Sequence, residues 1–128
     1  MGFFKNTSGF SQDSQSVSKV GWTQLTDLDQ LDEIVEESMN STVLIFKHST
    51  RCGVSKMVLK QFENEFTMHK EITPYFLDIL AQRTLSNEIA TRFSVVHQSP
   101  QLIVIKEGKA VFNESHGSID ASQLAQFI

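Results

Sequence analysis

Cysteine is the residue this sequence comes closest to lacking: among 128 residues, only Cys52 carries a thiol. No disulfide can close within the chain, so a disulfide-scaffold fold is excluded and a reducing, cytoplasmic setting is favoured. A zinc site would have to draw on four scattered histidines and on carboxylates, and no metal site is expected. Glycine (6) and proline (2) are too sparse for collagen-like or low-complexity structure. Long apolar runs are missing too: none nears the ~18 residues of a membrane span. The opening MGFFKNTSGF lacks the apolar stretch of roughly 7–15 residues that a signal peptide needs. Bases are outnumbered, 11 Lys and Arg against 15 Asp and Glu, and the net charge of -4 argues against nucleic acid as a partner.

What is present describes a globular chain, 40 % hydrophobic and 20 % charged, of one domain's length. Its charges are segregated. Six acids and no base lie between Asp27 and Glu37, whereas Lys47, Arg51, Lys56 and Lys60 lie in an acid-free stretch around Cys52. Residues 1–20 are polar and aperiodic and read as a flexible N-terminal tail, leaving 21–128 as the domain. GWTQL reads as a short edge strand. Thr26 is placed to cap a helix that aligns Leu28, Leu31, Ile34 and Val35. The run Ser41–His48 has the continuous apolar character of a strand buried on both faces. Val54, Met57, Val58, Phe62 and Phe66 then recur at helical spacing. A strand at Pro74–Ile79, a helix at Leu85–Phe93, strands at Gln101–Ile105 and AVFNES, and a closing helix at Ile119–Ile128 complete the pattern. The order β-α-β-α-β-α-β-β-α implies an α/β fold, a central mixed sheet with helices on both faces. The sheet is expected to be mostly parallel, with an antiparallel pair at one edge across the Glu107-Gly108-Lys109 turn.

Cys52 sits in a polar break between the buried strand and the following helix. A helix N-terminus and nearby cations (Lys47, His48, Arg51 and Lys56 by sequence) favour a thiolate, which is the nucleophilic form. A small buried hydrophobe is the ordinary alternative for a free cysteine, but its flanks would then be apolar and periodic. In C-x-x-S spacing, Ser55 stands where a dithiol motif has its resolving cysteine. Ser55 can donate a hydrogen bond to the Cys52 thiolate and cannot be oxidised. Any redox cycle is therefore monothiol, and the second sulfur comes from another molecule. The Ser99-Pro100 bond is trans on base rates; the alternative is a cis-proline loop beside the cysteine, offering backbone groups to an extended substrate. His97 and His116 are candidates to protonate a leaving thiolate, each with a structural alternative. His69 lies at the far end of its helix, and Gly117 most simply allows a positive φ after the last strand.

The segments FKHSTRCGVS, HQSPQLIVIKEGKAVF and ESHGSI resemble the YtxJ-like family, the monothiol bacilliredoxins of thioredoxin-like fold, over about Trp22 to Ile128. The resemblance implies a cytoplasmic thiol-disulfide oxidoreductase that removes bacillithiol from mixed disulfides on client proteins. Bacillithiol is then a co-substrate and no bound cofactor is expected; the chain is expected to act as a monomer. Cys52 falls on the attacking cysteine and Pro100 on the cis-proline. Ser55 and His116 are assigned assisting roles. Lys47, Thr50, Arg51, Gly53, His97, Ser99, Pro100 and Gly117 are assigned to the substrate site, with Lys47, Arg51 and Lys56 as candidate holders of the small thiol's carboxylates. Gly53 departs from the family, which commonly has proline there, and makes the motif read like the C-G-F-S of monothiol glutaredoxins. Two rival readings follow: an iron–sulfur carrier that shares a cluster between two chains, and a thioredoxin-like binding module with an unreactive Cys52.

Overall fold

The computed structural model describes residues 20–68 and 70–128, so the expectations for residues 1–19 and for His69 lie outside the described residues. In chain order the elements are β1 (Thr23–Gln24), α1 (Asp29–Glu37), β2 (Thr42–His48), α2 (Gly53–Glu65), β3 (Ile72–Asp78), α3 (Arg83–Arg92), β4 (Gln101–Lys106) and β5 (Lys109–Ser115). Two 3₁₀ segments, His116–Ser118 and Ala121–Phe127, end the chain. The helix α1 starts at Asp29 with Leu28 as its cap residue, so Thr26 is not the cap; the turn before it is held by Asp27 and Gln30. Asp27 Oδ1 accepts from Asp29 N–H at 2.9 Å, and Gln30 Oε1 accepts from Asp27 N–H at 3.0 Å.

The five strands lie in the order β1-β3-β2-β4-β5. The pairs β1–β3 and β3–β2 are parallel; β2–β4 and β4–β5 are antiparallel. The change of direction therefore comes at β4, in the middle of the sheet, and the sheet is less parallel than the sequence pattern suggests. The loop 94–100 causes this. It carries the chain back to the end where β3 finished, so β4 starts with Gln101 opposite Lys47.

Both faces of β2 are covered, and all seven of its residues are buried. Alternation along the strand sends Val43 and Ile45 into a core with Leu31 and Ile34 of α1 and Leu85 and Ile89 of α3. Leu44 and Phe46 enter the opposite core with Val58 and Phe62 of α2 and with Leu124. Val20, assigned to the tail by sequence, is buried in that second core. Trp22 covers its edge, with ring centroids 5.5–6.0 Å from Phe46, Phe62 and Phe76, and its indole N–H donates to Glu63 at 2.7 Å.

The closing helix is wound as 3₁₀. Asp120 and Gln123 form a capping box at its start. At its end the Phe127 carbonyl accepts from Thr42 Oγ1 at 2.6 Å and Lys106 Nζ at 3.0 Å. Seven residues is long for this tighter winding, and these side chains tether its last turn from outside the helix.

Glu107 (φ 53°) and Gly108 (φ 77°) form the two-residue turn between β4 and β5. Ser38, at the end of α1, fixes this turn. Its carbonyl accepts from Glu107 N–H and its Oγ from Gly108 N–H, both at 2.8 Å. Replacing Ser38 by Ala removes a buried acceptor and leaves the Gly108 N–H unpaired. We expect a loss of about 1–3 kcal/mol in urea-induced unfolding.

Candidate functional site

Three loops meet at one end of the sheet. The loop after β2 carries Cys52, the loop before β4 carries Pro100, and the 3₁₀ turn after β5 carries His116 and Gly117. Cys52 is half-buried and occupies the cap position of α2 in an extended conformation (φ -106°, ψ 121°). Its carbonyl accepts from Lys56 N–H at 3.1 Å and its N–H donates to the Ser49 carbonyl at 3.3 Å. The Ser99-Pro100 peptide bond is cis. The Pro100 carbonyl accepts from His116 N–H at 3.0 Å, and the His116–Ser118 turn packs against α2. The cysteine helix, the cis-proline and the terminal turn are thus tied into one end.

Ser55 is wholly buried, and its hydroxyl faces partners other than Cys52. Ser55 Oγ accepts from Ser49 N–H at 3.1 Å and bonds His48 Nδ1 at 2.8 Å. These two bonds pin the cysteine loop to the first turn of α2, so Ser55 is a brace for the loop. Both partners lie in the chain just before Cys52, and loop closure alone makes the contact. His48 is itself buried, its ring 5.5 Å from that of Phe76. Burial pushes its pKa below the ordinary value, aided by Lys56; Asp78 and Glu63 only partly offset this. His48 is neutral at pH 7 and is not one of the cations around the thiol.

Lys47 departs furthest from expectation. It points to the face of the sheet away from α2 and is wholly buried, so it cannot join Arg51, Lys56 and Lys60 at the surface. Its Nζ donates to the Ser86 carbonyl of α3 at 3.2 Å and to His97 Nδ1 at 3.1 Å. Burial lowers its pKa to about 8. His97 is lowered as well, by desolvation and by the adjacent Lys47. Gln101, the cross-strand neighbour of Lys47, is also wholly buried and supports the same loop. Its Nε2 donates to the Val96 carbonyl at 2.9 Å, and its Oε1 accepts from Gln98 N–H at 3.3 Å. Sequence reasoning passed over Gln101, although an amide opening an otherwise apolar strand was a visible signal.

Thr50, Arg51, Gly53 and Lys56 are exposed around Cys52. Ser99 is half-buried, and its Oγ is a buried hydroxyl without a hydrogen-bond partner among the described residues. His116 and Gly117 are exposed. The positive φ expected at Gly117 is found at His116 (54°) instead. The bond from His116 N–H to Pro100, and that from Ile119 N–H to the His116 carbonyl at 3.3 Å, fold the backbone there. Gly117 takes an ordinary φ, and a Cβ on it would meet nothing within 4 Å.

Two outcomes follow from this geometry. Gly53 is the first residue of α2, a Cβ there meets nothing within 4 Å, and the extended Cys52 before it suits a residue preceding proline. Gly53→Pro should therefore raise stability by up to about 1 kcal/mol, seen as a higher Tm. Lys47 has a folded pKa of about 8 against an ordinary 10.5, so between those values the unfolded chain holds a proton that the native one has released. The contribution of this site to stability rises with pH across that window. Comparing wild type with Lys47→Met by denaturant unfolding from pH 7 to 10.5 should show the difference moving in favour of wild type above pH 8.

Comparison with known proteins agrees with this architecture. A solved protein described as a candidate oxidoreductase with a thioredoxin fold is 36 % identical, with a TM-score of 0.69 over 80 % of this chain and 89 % of its own. The thioredoxin of Malassezia sympodialis matches at 19 % identity and a TM-score of 0.66, over 89 % of this chain and 93 % of its own. Mitochondrial thioredoxin 3 of Saccharomyces cerevisiae matches at 18 % identity and 0.66, over 88 % and 97 %. The last two establish the thioredoxin fold. No helix among the described residues is long and apolar enough to cross a membrane. The family model of monothiol bacilliredoxin BrxC matches residues 23–124, which include the cysteine, the cis-proline and the terminal turn, and this chain belongs to that family.

Proposed function

We propose that this chain removes bacillithiol from mixed disulfides on client proteins in the reducing cytoplasm, with Cys52 as its only redox-active group. One observation carries the reading. The sole thiol of a monothiol bacilliredoxin family member stands half-exposed at the start of α2, at the sheet end that also holds the cis-proline. The coarser part, a thiol redox role, follows from family and fold.

The chemistry is two thiol-disulfide exchanges, each a displacement at sulfur. In the first, the Cys52 thiolate attacks the bacillithiol-side sulfur of the mixed disulfide. The Cys52–bacillithiol bond forms, the client bond breaks, and the client leaves as a thiolate that takes a proton. In the second, a free bacillithiol thiolate attacks the bacillithiol sulfur of that adduct. Cys52 returns as thiolate and bacillithiol disulfide departs, carrying the oxidation away. No second cysteine of the chain takes part. Ser99 and the cis-proline border the client segment beside Cys52. The exposed Arg51 and Lys56 attract the anionic thiol, each contributing only ~0–1 kcal/mol in contact with solvent. His116 is the assisting group at the terminal turn.

The test is a transfer assay with a bacillithiolated client, followed by intact-mass spectrometry. One bacillithiol should pass to the chain and leave the client free, and excess bacillithiol should then regenerate the chain. Cys52→Ser should reduce transfer to the uncatalysed rate. A client that stays modified, with Cys52 unaltered, overturns the reading; preferential transfer of glutathione would replace the co-substrate.

A further inference from the structure

We propose that the small cavity beside the first turn of α3, lined by Arg83, Ser86, Asn87 and His97 with Ile79, binds a carboxylate. Its volume, about 90 Å³, is several times the roughly 10–15 Å³ that one water needs, so it has room for a carboxylate or a small free oxyanion. The polar groups that reach it are chiefly donors. Arg83 offers its guanidinium and Asn87 its amide. His97 accepts from Lys47 at Nδ1, which leaves the proton of the neutral ring on Nε2 as a donor.

The charge beneath the cavity is unbalanced. Lys47 is wholly buried, and the hydrogen bonds of its ammonium go to two of the lining residues, Ser86 and His97. The ion pairs among the described residues, Arg92 with Asp32 and with Glu88, involve neither Lys47 nor Arg83. Both Lys47 and His97 are shifted toward their neutral forms, and no carboxylate among the described residues opposes the shift at either. A buried cation is costly unless its charge is balanced, and a carboxylate in the cavity would face the Lys47 charge across Ser86 and His97. The cavity also lies at the positive end of α3, whose cap residue Gln82 makes no side-chain hydrogen bond there.

Position links the cavity to the thiol. Ile79 N–H donates to the His48 carbonyl, so the cavity opens at the strand end from which the Cys52 loop departs. His97 precedes the cis-proline by three residues. On the reading of Cys52 proposed above, on which this step rests, the carboxylate belongs to the small thiol. Its sulfur is at Cys52 and its acidic end is held between α3 and the loop before the cis-proline.

The decisive measurement is NMR of the histidine-labelled full chain, with L-malate, inorganic phosphate and the neutral dimethyl malate as probes. Malate should shift the His97 ring signals saturably and move the His97 titration midpoint upward, while dimethyl malate leaves both unmoved. Arg83→Ala and Asn87→Ala, at exposed positions, should weaken malate binding at least fivefold, and Lys47→Met at least tenfold. Absence of a saturable malate shift in the folded wild-type chain overturns the site, and phosphate binding at least as tight as malate overturns the carboxylate assignment. The Cys52 adducts of bacillithiol and of 2-mercaptoethanol separate the two readings. His97 should move in the first adduct only. A bacillithiol adduct that leaves His97 unmoved overturns the link to the thiol. Failure to form either adduct counts against Cys52 reactivity instead, and the malate titration still decides the site.

Discussion

Because β2 is covered on both faces, its last two residues carry polar groups into the interior in opposite directions. Lys47 goes toward α3 and braces the loop before the cis-proline through His97. His48 goes toward α2 and braces the cysteine loop through Ser55. Strand alternation, which elsewhere only distributes apolar side chains between two cores, here lets one strand end hold both walls of the site. A one-residue slip of β2 would exchange these partners and release both loops together.

The two braces differ in energetic character. His48 is buried in its neutral form, and its contact with Ser55 is one that neutral partners can make at little electrostatic cost. Lys47 is an ammonium in a low-dielectric site, held by a carbonyl and an imidazole nitrogen, with no carboxylate bonded to it among the described residues. Hydrogen bonds to neutral acceptors recover only part of the desolvation of a cation. That deficit is why its pKa falls to about 8. The α3 side is therefore the polarised side of the site, and the α2 side, where Cys52 stands, is braced by uncharged groups.

Much of this architecture was legible in the residues. The unbroken apolar run from Val43 to Phe46 marks a doubly covered strand, and a polar break followed by helical spacing places Cys52 at a helix start. The charge around the thiol was legible only in part. Lys47, Arg51, Lys56 and Lys60 look like one basic cluster along the chain, yet the first lies on the opposite face of the sheet. Choosing that face requires knowing which helix covers which side, information that lies in the three-dimensional contacts. The same holds at the terminal turn. Composition favours Gly117 for a positive φ, but the bond from His116 N–H to Pro100, sixteen residues earlier in the chain, places it one residue before. The winding of Ala121–Phe127 likewise depends on Thr42 and Lys106, far away in sequence.

Ser55 connects the fold to its single-thiol chemistry. In a dithiol motif this position would hold the resolving sulfur, and it would have to reach the attacking cysteine. Here the side chain is wholly buried, accepting from Ser49 N–H and bonding His48, and a cysteine thiol would be a poor substitute because sulfur is a weak acceptor. A resolving cysteine placed at 55 would have to leave those contacts to reach Cys52, loosening the loop that positions Cys52. The monothiol character is thus more than the absence of a second cysteine from the composition. The position three residues after the thiol holds the loop in place, so any second sulfur has to come from another molecule.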